Sequence, residues 1–181
     1  MAFPAFLDTC VLFPAYLSDT LLRLAATSTY RPLWSADVLD ELQRNLVERG
    51  IAADAVDRRI SAMRANFPDA DVTRYESLIP SMTNDPKDRH VLAAAVRAGA
   101  EVIVTFNLRD FPAEALDPFD IAAVHPDDFL LDQLDLYPGI TLRTLERQAS
   151  SYRHEPTTVA ALMARLAKSG LPNFAGEVLR H

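Results

Sequence analysis

Four separated segments of this sequence carry the residues best suited to chemistry. Asp8 ends the apolar run FPAFLD, Glu41 lies in SADVLDELQRNL, Asp88 lies in DPKDRHVLAAA, and Asn107 and Asp110 lie in VTFNLRDF. Each stands at the end of a predicted element or at the margin of an apolar face. Carboxylate and amide oxygens are hard ligands that suit Mg²⁺ or Mn²⁺. The sequence therefore predicts a site for one or two divalent cations.

A cation at that site would have a specific chemical use. Clustered carboxylates repel one another and raise each other's pKa, and a divalent cation removes the repulsion. Once bound, the cation lowers the pKa of a water molecule and stabilises charge on a phosphodiester. The predicted chemistry is therefore metal-dependent hydrolysis of phosphodiester bonds, as in a nuclease.

Local structural roles compete with metal binding at some of these acids. Glu41 lies roughly 115° from the centre of the apolar stripe of its helix, so it is expected to flank the core rather than face open solvent, and a surface glutamate is the alternative. Asp88 lies inside the apolar stripe of a helix predicted over residues 88–98, where the helix dipole would stabilise a first-turn acid. Asp85, which Pro86 follows, is interpreted as the local cap. Asp88, on the inward face, is interpreted as a metal ligand.

Alternating strands and helices must position these residues. Short apolar strands are predicted at residues 3–8, 101–106 and 120–124, with amphipathic helices between them. Ser35 is predicted to cap one of these helices, and Gly99 to end another. This pattern predicts a parallel α/β sheet whose two faces are covered. Ligands in such sheets bind beyond the carboxyl ends of the strands, so Asp8 and Thr105 are expected at one rim.

The chain after residue 137 predicts helices only, each beginning at or near a proline. We therefore divide the chain into an α/β domain over 1–137 and a small helical C-terminal extension over 138–181. The extension has a net charge of +3, so the first 137 residues carry −10 and the whole chain −7. The acidic body fits either dispersed surface charge or a domain rich in metal-binding carboxylates.

Composition indicates the compartment. Apolar residues make up 49% of the chain, but no run of them reaches the ~18 to 20 residues that a membrane span requires. Asp8 interrupts the N-terminal apolar stretch, which has no basic region before it, so no signal peptide is predicted. The single cysteine, Cys10, can form no internal disulfide. A cytoplasmic protein without a membrane partner is expected.

The order and wording of the motifs resemble the PIN-domain ribonucleases and, among them, the VapC-type toxins of bacterial toxin–antitoxin pairs. FLDTCVL resembles the first-strand motif of that family, with Asp8 as the first metal-binding acid and Thr9 beside it. SADVLDELQRNL is similar to the second motif and places its acid at Glu41. DPKDRHVLAAAVRAGAEVIVTFNLRDFP is similar to the third and fourth motifs, with Asp88 as the third acid. The resemblance spans roughly residues 3–130, and four motifs in the correct order make it specific.

The fourth motif departs from the family pattern. Thr105 and Asn107 take its two positions, but the second position is often aspartate in the family. Asn107 supplies an oxygen without charge, and Asp110 could add the missing charge. Whether Asn107 or Asp110 completes the site, and whether it holds one metal or two, stays open.

The resemblance implies a fold, an activity and partners. The fold would be a three-layer α/β/α sandwich around a central parallel sheet. The activity would be Mg²⁺- or Mn²⁺-dependent endonucleolytic cleavage of RNA by a metal-activated water. Such toxins commonly form homodimers, and a cognate antitoxin protein holds them inactive. The helical extension resembles one found in a subset of these toxins, and the motifs imply no role for it.

Basic and aromatic residues are harder to assign. Arg109, at the predicted rim, is the arginine expected nearest to the RNA phosphate, and Arg143 and Arg147 are possible RNA contacts, although a solvated helix face is the alternative. Cys10 is interpreted as a small core residue, and His90 as a surface or packing histidine.

Two further readings compete with a nuclease. An Asp-centred phosphatase or phosphotransferase would use Asp8 as a nucleophile, but the second acid that such phosphatases need two residues later is replaced by Cys10. A PIN-fold protein that is catalytically weak or inactive could instead act by binding a protein partner. The presence of Asp8, Glu41 and Asp88 argues against that reading.

Overall fold

The computed structural model describes residues 2–181, and their strands form one parallel sheet in the order β3-β2-β1-β4-β5. The strands are β1 Pro4–Leu7, β2 Arg31–Ser35, β3 Asp71–Val72, β4 Val102–Val104 and β5 Ala122–Val124. Strands are added first on one side of β1 and then on the other. The boundary between β1 and β4 is therefore the switch point where open α/β sheets bind ligands.

Helices cover the sheet on both faces. The ten helices within residues 2–181 are α1 Thr9–Leu12, α2 Ala15–Ala26, α3 Ala36–Glu48, α4 Ala53–Asn66, α5 Arg89–Ala98, α6 Ala113–Leu116, α7 Pro126–Leu136, α8 Pro138–Ser151, α9 Val159–Lys168 and α10 Pro172–Val178. The consecutive β1 residues Ala5, Phe6 and Leu7 are all fully buried, and successive strand side chains point to opposite faces. The predicted three-layer α/β/α sandwich is confirmed. No helix formed by residues 2–181 is both long and apolar enough to cross a bilayer.

Local sequence signals fix the ends of the helices that bear the predicted acids. Ser35 Oγ accepts a hydrogen bond from Val38 N at 3.3 Å and begins α3, as predicted. Gly99 has a φ of 65° and ends α5 in the left-handed conformation that glycine tolerates best. Asp88 closes a 3₁₀ turn, Pro86–Asp88, so α5 begins one residue later than expected.

Two strands lie outside the sequence prediction. The sequence pattern indicated three strands, whereas the sheet also contains β2 and β3, which extend it on the side of β1 away from β4. β2 ends at Ser35 and α3 begins at the next residue, so β2 is the strand that positions Glu41.

The C-terminal helices pack on the sheet domain through α2. Thr20 Oγ1 donates a hydrogen bond to Gln148 Oε1 at 2.9 Å, and Gln148 Nε2 donates to the carbonyl oxygen of Tyr16 at 3.2 Å. Tyr152 accepts from Gln148 Nε2 at 2.9 Å and donates its hydroxyl to Asp19 Oδ2. Polar contacts therefore join α2 to α8.

The last helix is tied to α7 by a buried carboxylate. Asp127 Oδ1 accepts from Phe174 N at 2.8 Å, and Asp127 Oδ2 accepts from Asn173 N at 3.1 Å. Asp127 thus satisfies free N–H groups in the first turn of α10. This contact joins α7 to the helices after residue 137, and the division at 137 and 138 stays a prediction.

Candidate active site

A recess of about 400 Å³ lies beyond the carboxyl ends of β1 and β4, and we call it the acidic recess. Its lining residues come from four segments and are Asp8, Thr9, Cys10, Glu41, Arg44, Asn45, Lys87, Asp88, His90 and Asn107. Four of the five predicted oxygen ligands therefore lie around one cavity. The fifth, Asp110, lies beside Asp88 outside this lining.

Asp8 is held rigidly at the end of β1. It is 4% exposed, and its Oδ1 accepts from Thr9 N at 2.8 Å while its Oδ2 accepts from Thr105 Oγ1 at 2.8 Å. The Cys10 thiol also donates to Oδ2, at 3.5 Å. Burial raises the pKa of Asp8, and these hydrogen bonds oppose the rise. Thr9 and Thr105 therefore position the carboxylate.

Glu41 reaches the recess from the flank of α3. Its side chain is half-buried, and its Oε2 accepts from Thr9 Oγ1 at 3.1 Å. Thr9 Oγ1 also approaches the carbonyl oxygen of Val38 at 3.3 Å, so the same hydroxyl links α1 to α3. The helical-wheel prediction that Glu41 flanks the core rather than facing open solvent is confirmed.

Asp88 carries an unpaired oxygen inside the protein. It is 9% exposed, and Asp88 Oδ2 is buried with no hydrogen-bond partner among residues 2–181. Burial, with the nearby carboxylates of Asp8 and Asp110, raises the pKa of Asp88 to about 7. A buried carboxylate without a partner is costly. A hard divalent cation would supply what this oxygen lacks, so the donor set fits such an ion.

Asp88, which lines the recess, also belongs to a cluster of three aspartates. Carboxylate oxygens of Asp85, Asp88 and Asp110 lie within 4.8 Å of one another, and Lys87 Nζ lies 3.3 Å from Asp110 Oδ2. Asp85 Oδ1 accepts from Lys87 N at 3.1 Å, so its predicted capping role is confirmed for the 3₁₀ turn. Asp110 thus lies against Asp88 and Lys87, whereas Asn107 lines the recess itself.

Cys10 and His90 lie closer to the site than the sequence indicated. Cys10 is half-buried, and its Sγ accepts from Phe106 N at 3.3 Å in addition to contacting Asp8. Burial and the Asp8 carboxylate raise the pKa of Cys10 to about 12, so it is a neutral thiol. His90 is half-buried, and its Nδ1 has no partner within residues 2–181. The only signal for His90 was its place in the first turn after Asp88.

The basic residues on the recess differ from the predicted ones. Arg44 and Lys87 line it. Arg109 is exposed in the turn Leu108–Asp110, and Arg143 and Arg147 are exposed on α8. None of these three arginines lines the recess, and their RNA contacts stay predictions.

Comparisons with known proteins agree with this geometry. Residues 4–109 match the family described as PIN domain, and residues 126–180 match one described as VapC50 C-terminal domain. A protein of Mycobacterium tuberculosis named "Putative ribonuclease VapC50" is 51% identical over 106 residues, which are 59% of this chain and 62% of that protein. The chain thus matches less than two thirds of that relative's length, and no solved structure matches it. Because the PIN match covers more than half of the chain, this protein belongs to the PIN domain family.

Proposed function

We propose that this protein is a Mg²⁺- or Mn²⁺-dependent endoribonuclease and the toxin of a toxin–antitoxin pair. One observation carries the proposal: the buried, unpaired Oδ2 of Asp88 lies in the same recess as Asp8, Glu41 and Asn107. The name of the M. tuberculosis relative supports ribonuclease activity.

The residues of the recess divide into ligands and supports. Asp8 and Asp88 would bind the metal directly, with Glu41 at the edge and a neutral oxygen from Asn107. Asp110 is a further proposed ligand because its carboxylate lies beside that of Asp88. Bound Mg²⁺ or Mn²⁺ would lower the pKa of a water and neutralise charge on the phosphodiester.

The substrate would be RNA held over the recess. The net charge of −7 opposes non-specific binding to a polyanion, but the acids nearest to the bound phosphate would be those that face the metal. Arg44 and Lys87 lie on the recess and offer cationic donors to phosphate oxygens. Arg109, Arg143 and Arg147 are proposed as additional contacts further from the reacting phosphate.

The biological setting is part of the same proposal. A cognate antitoxin would block the recess, and the protein would act as a homodimer in the cytoplasm. The lone thiol of Cys10, which cannot form an internal disulfide, supports a reducing compartment.

The test is cleavage of structured RNAs by purified protein with Mg²⁺ or Mn²⁺. Wild type should cleave, whereas Asp8→Ala and Asp88→Asn should lose at least ~100-fold in rate because each removes a ligand charge. Asp54→Asn, an exposed carboxylate on α4, is the matched control and should cleave like wild type.

Each other outcome overturns a defined part of the proposal. Equal cleavage by wild type and both site variants would indicate a contaminating nuclease. No cleavage by wild type with either metal would favour a PIN-fold protein that acts through a protein partner. Mn²⁺ bound away from Asp8 and Asp88 in a crystal structure would contradict the site assignment.

A further inference from the structure

A second cleft continues from the acidic recess along α1 and α3. It has a volume of about 440 Å³ and shares four lining residues with the recess, among them Glu41 and Asn45. Beyond the recess it reaches Phe13, Glu48 and Arg49. We call it the α1–α3 cleft. Its volume lies within the range of ~300 to 1,000 Å³ that is typical of small-molecule sites.

We infer that the α1–α3 cleft binds one nucleotide of single-stranded RNA next to the phosphate that is cleaved. The inference rests on the proposed function and deepens it by locating a substrate subsite. Its first support is continuity: a chain whose phosphate lies at Asp8 and Asp88 can enter the cleft past Glu41 without leaving the surface.

The aromatic ring of Phe13 gives the cleft a surface for a base. Phe13 follows α1 directly, and its backbone N–H donates to the carbonyl oxygen of Thr9 at 2.9 Å, which fixes it to the segment that also bears Asp8. The ring is half-buried against the core and lines the cleft. Aromatic side chains stack on any base, so Phe13 would bind without strong sequence preference.

Asn45 on α3 and Arg49, at the C-cap of that helix, supply polar contacts about one turn apart. The Asn45 amide can donate and accept, as recognition of a base edge or a 2′-hydroxyl requires. Arg49 is exposed and forms no ion pair with a carboxylate of residues 2–181, so its guanidinium is available to a phosphate. Glu41 and Glu48 also line the cleft, so its lining holds two carboxylates against one arginine. This mixture favours stacking and hydrogen bonding over charge alone.

The first experiment measures binding of a short fluorescein-labelled single-stranded RNA by anisotropy, with Ca²⁺ in place of Mg²⁺ to slow cleavage. Phe13→Leu should weaken binding at least ~5-fold, because stacking on the ring is lost. Arg49→Gln should lower the slope of log affinity against log salt by about 0.7, the value for one phosphate contact on a single strand. Arg165→Gln, an exposed arginine on α9, should change neither quantity.

A second measurement separates stacking from a structural effect of Phe13. An RNA with an abasic nucleotide beside the mapped cleavage site should be cleaved by wild type with a higher KM and a similar kcat. Phe13→Leu should show little further penalty with that RNA, because the contact is already absent. Equal penalties for the abasic RNA in wild type and Phe13→Leu would overturn the inference.

The result separates failure of the subsite from failure of the proposed function. Cleavage that depends on Asp8 but is unaffected by Phe13→Leu and Arg49→Gln would reject the subsite alone. Binding that depends on Phe13 and Arg49 without any cleavage would support RNA binding by the cleft but would reject the nuclease and, with it, the role of the cleft as a substrate subsite. Unchanged RNA binding with weakened binding of the cognate antitoxin would reassign the cleft to that protein.

Discussion

The interface between α2 and α8 and the acidic recess both bury polar side chains, but they satisfy them differently. In the interface, Gln148 bonds to Thr20, Tyr16 and Tyr152, and Tyr152 bonds in turn to Asp19. In the recess, Asp88 Oδ2, His90 Nδ1 and the nearby Asn84 Oδ1 are buried with no partner in residues 2–181. A satisfied network stabilises a fold, whereas buried polar atoms without partners raise its free energy until a ligand binds.

An unpaired polar atom does not by itself indicate a ligand site. Gln133 in α7 is fully buried, and both polar atoms of its side chain lack partners among residues 2–181. It is neutral, however, and it belongs to no acidic cluster. The recess differs because its unpaired carboxylate lines a cavity with other acids.

The largest effect should come from removing an oxygen that lines the recess. Asn107→Ala should lower kcat/KM for RNA cleavage about 100-fold, and Asp110→Asn about 10-fold, because Asp110 contacts Asp88 rather than the cavity. Steady-state cleavage assays on folded variants measure both. The opposite ranking would show that Asp110, rather than Asn107, completes the site.

The next effect tests the interface between α2 and α8, where the buried polar groups are hydrogen-bonded. Gln148→Met should lower the free energy of unfolding by about 2 kcal/mol, because it removes the three hydrogen bonds that the buried Gln148 makes to Thr20, Tyr16 and Tyr152. Gln133→Met is the matched variant and should change stability little or raise it, because it removes atoms that have no partner. Urea unfolding compares the two. Equal destabilisation would contradict the distinction between the two glutamines.

A smaller effect should appear where the C-terminal helices meet the fourth motif. Gly170 has a φ of +97°, and a Cβ added there would lie 3.1 Å from Phe106 Cε1. Phe106 stands between Thr105 and Asn107 in the sequence. Gly170→Ala should cost about 1 kcal/mol of stability through its backbone conformation and should also lower cleavage a few-fold by displacing Phe106.

Gly50 provides the control for that contact. It has the same φ of +97° but no atom within 4 Å of an added Cβ. Gly50→Ala should therefore lose similar stability in urea unfolding and retain full cleavage. If both variants lost cleavage equally, the Phe106 contact would not be the cause.

The smallest effect is a gain in stability at the recess. The folded metal-free protein raises the pKa of Asp88 from 3.8 to about 7, so this carboxyl group destabilises the fold increasingly as the pH rises from 3.8, and fully above about pH 7. Asp88→Asn should therefore raise the free energy of unfolding by about 1 kcal/mol near pH 8 with EDTA, a value reduced for solvent screening. The advantage should shrink as the pH falls and vanish near about pH 4, where Asp88 is protonated in both states.

Metal binding should reverse the order of stability of wild type and Asp88→Asn. Mg²⁺ or Mn²⁺ should raise the thermal midpoint of wild type but not of Asp88→Asn, because a ligand of the folded state stabilises it. Asp54→Asn should behave as wild type in both series. A wild type that is more stable than Asp88→Asn near pH 8 without metal would contradict the unpaired state of Asp88.

The sequence predicted the elements whose signals are local. The Ser35 cap, the Gly99 terminus and Asp8 at the end of a strand each depend on neighbouring residues, and each is found in the structure. β2 was not predicted because Pro32 lies inside it, and proline usually indicates an edge strand or no strand. β3 has only two residues, too few for any period to be recognised.

The surroundings of the acids could not be predicted from the sequence, because contacts between distant segments create them. Cys10 looked like a core residue because its neighbours are apolar, but its thiol contacts Asp8 and Phe106. Arg44 and Lys87 could not be distinguished from other surface cations, because only the fold brings α3 and the turn before α5 to one recess.

The double contact of Asp127 with the start of α10 also bears on how the chain is made. The hydrogen bonds of its carboxylate can form only after Asn173 and Phe174, 46 and 47 residues later in the chain, have been synthesised. At about 5 to 20 residues per second, synthesis takes roughly 2 to 9 seconds to supply those N–H groups. During that interval α7 carries a carboxylate without its native partners. The packing of α10 on α7 is therefore completed only after α10 has left the ribosome.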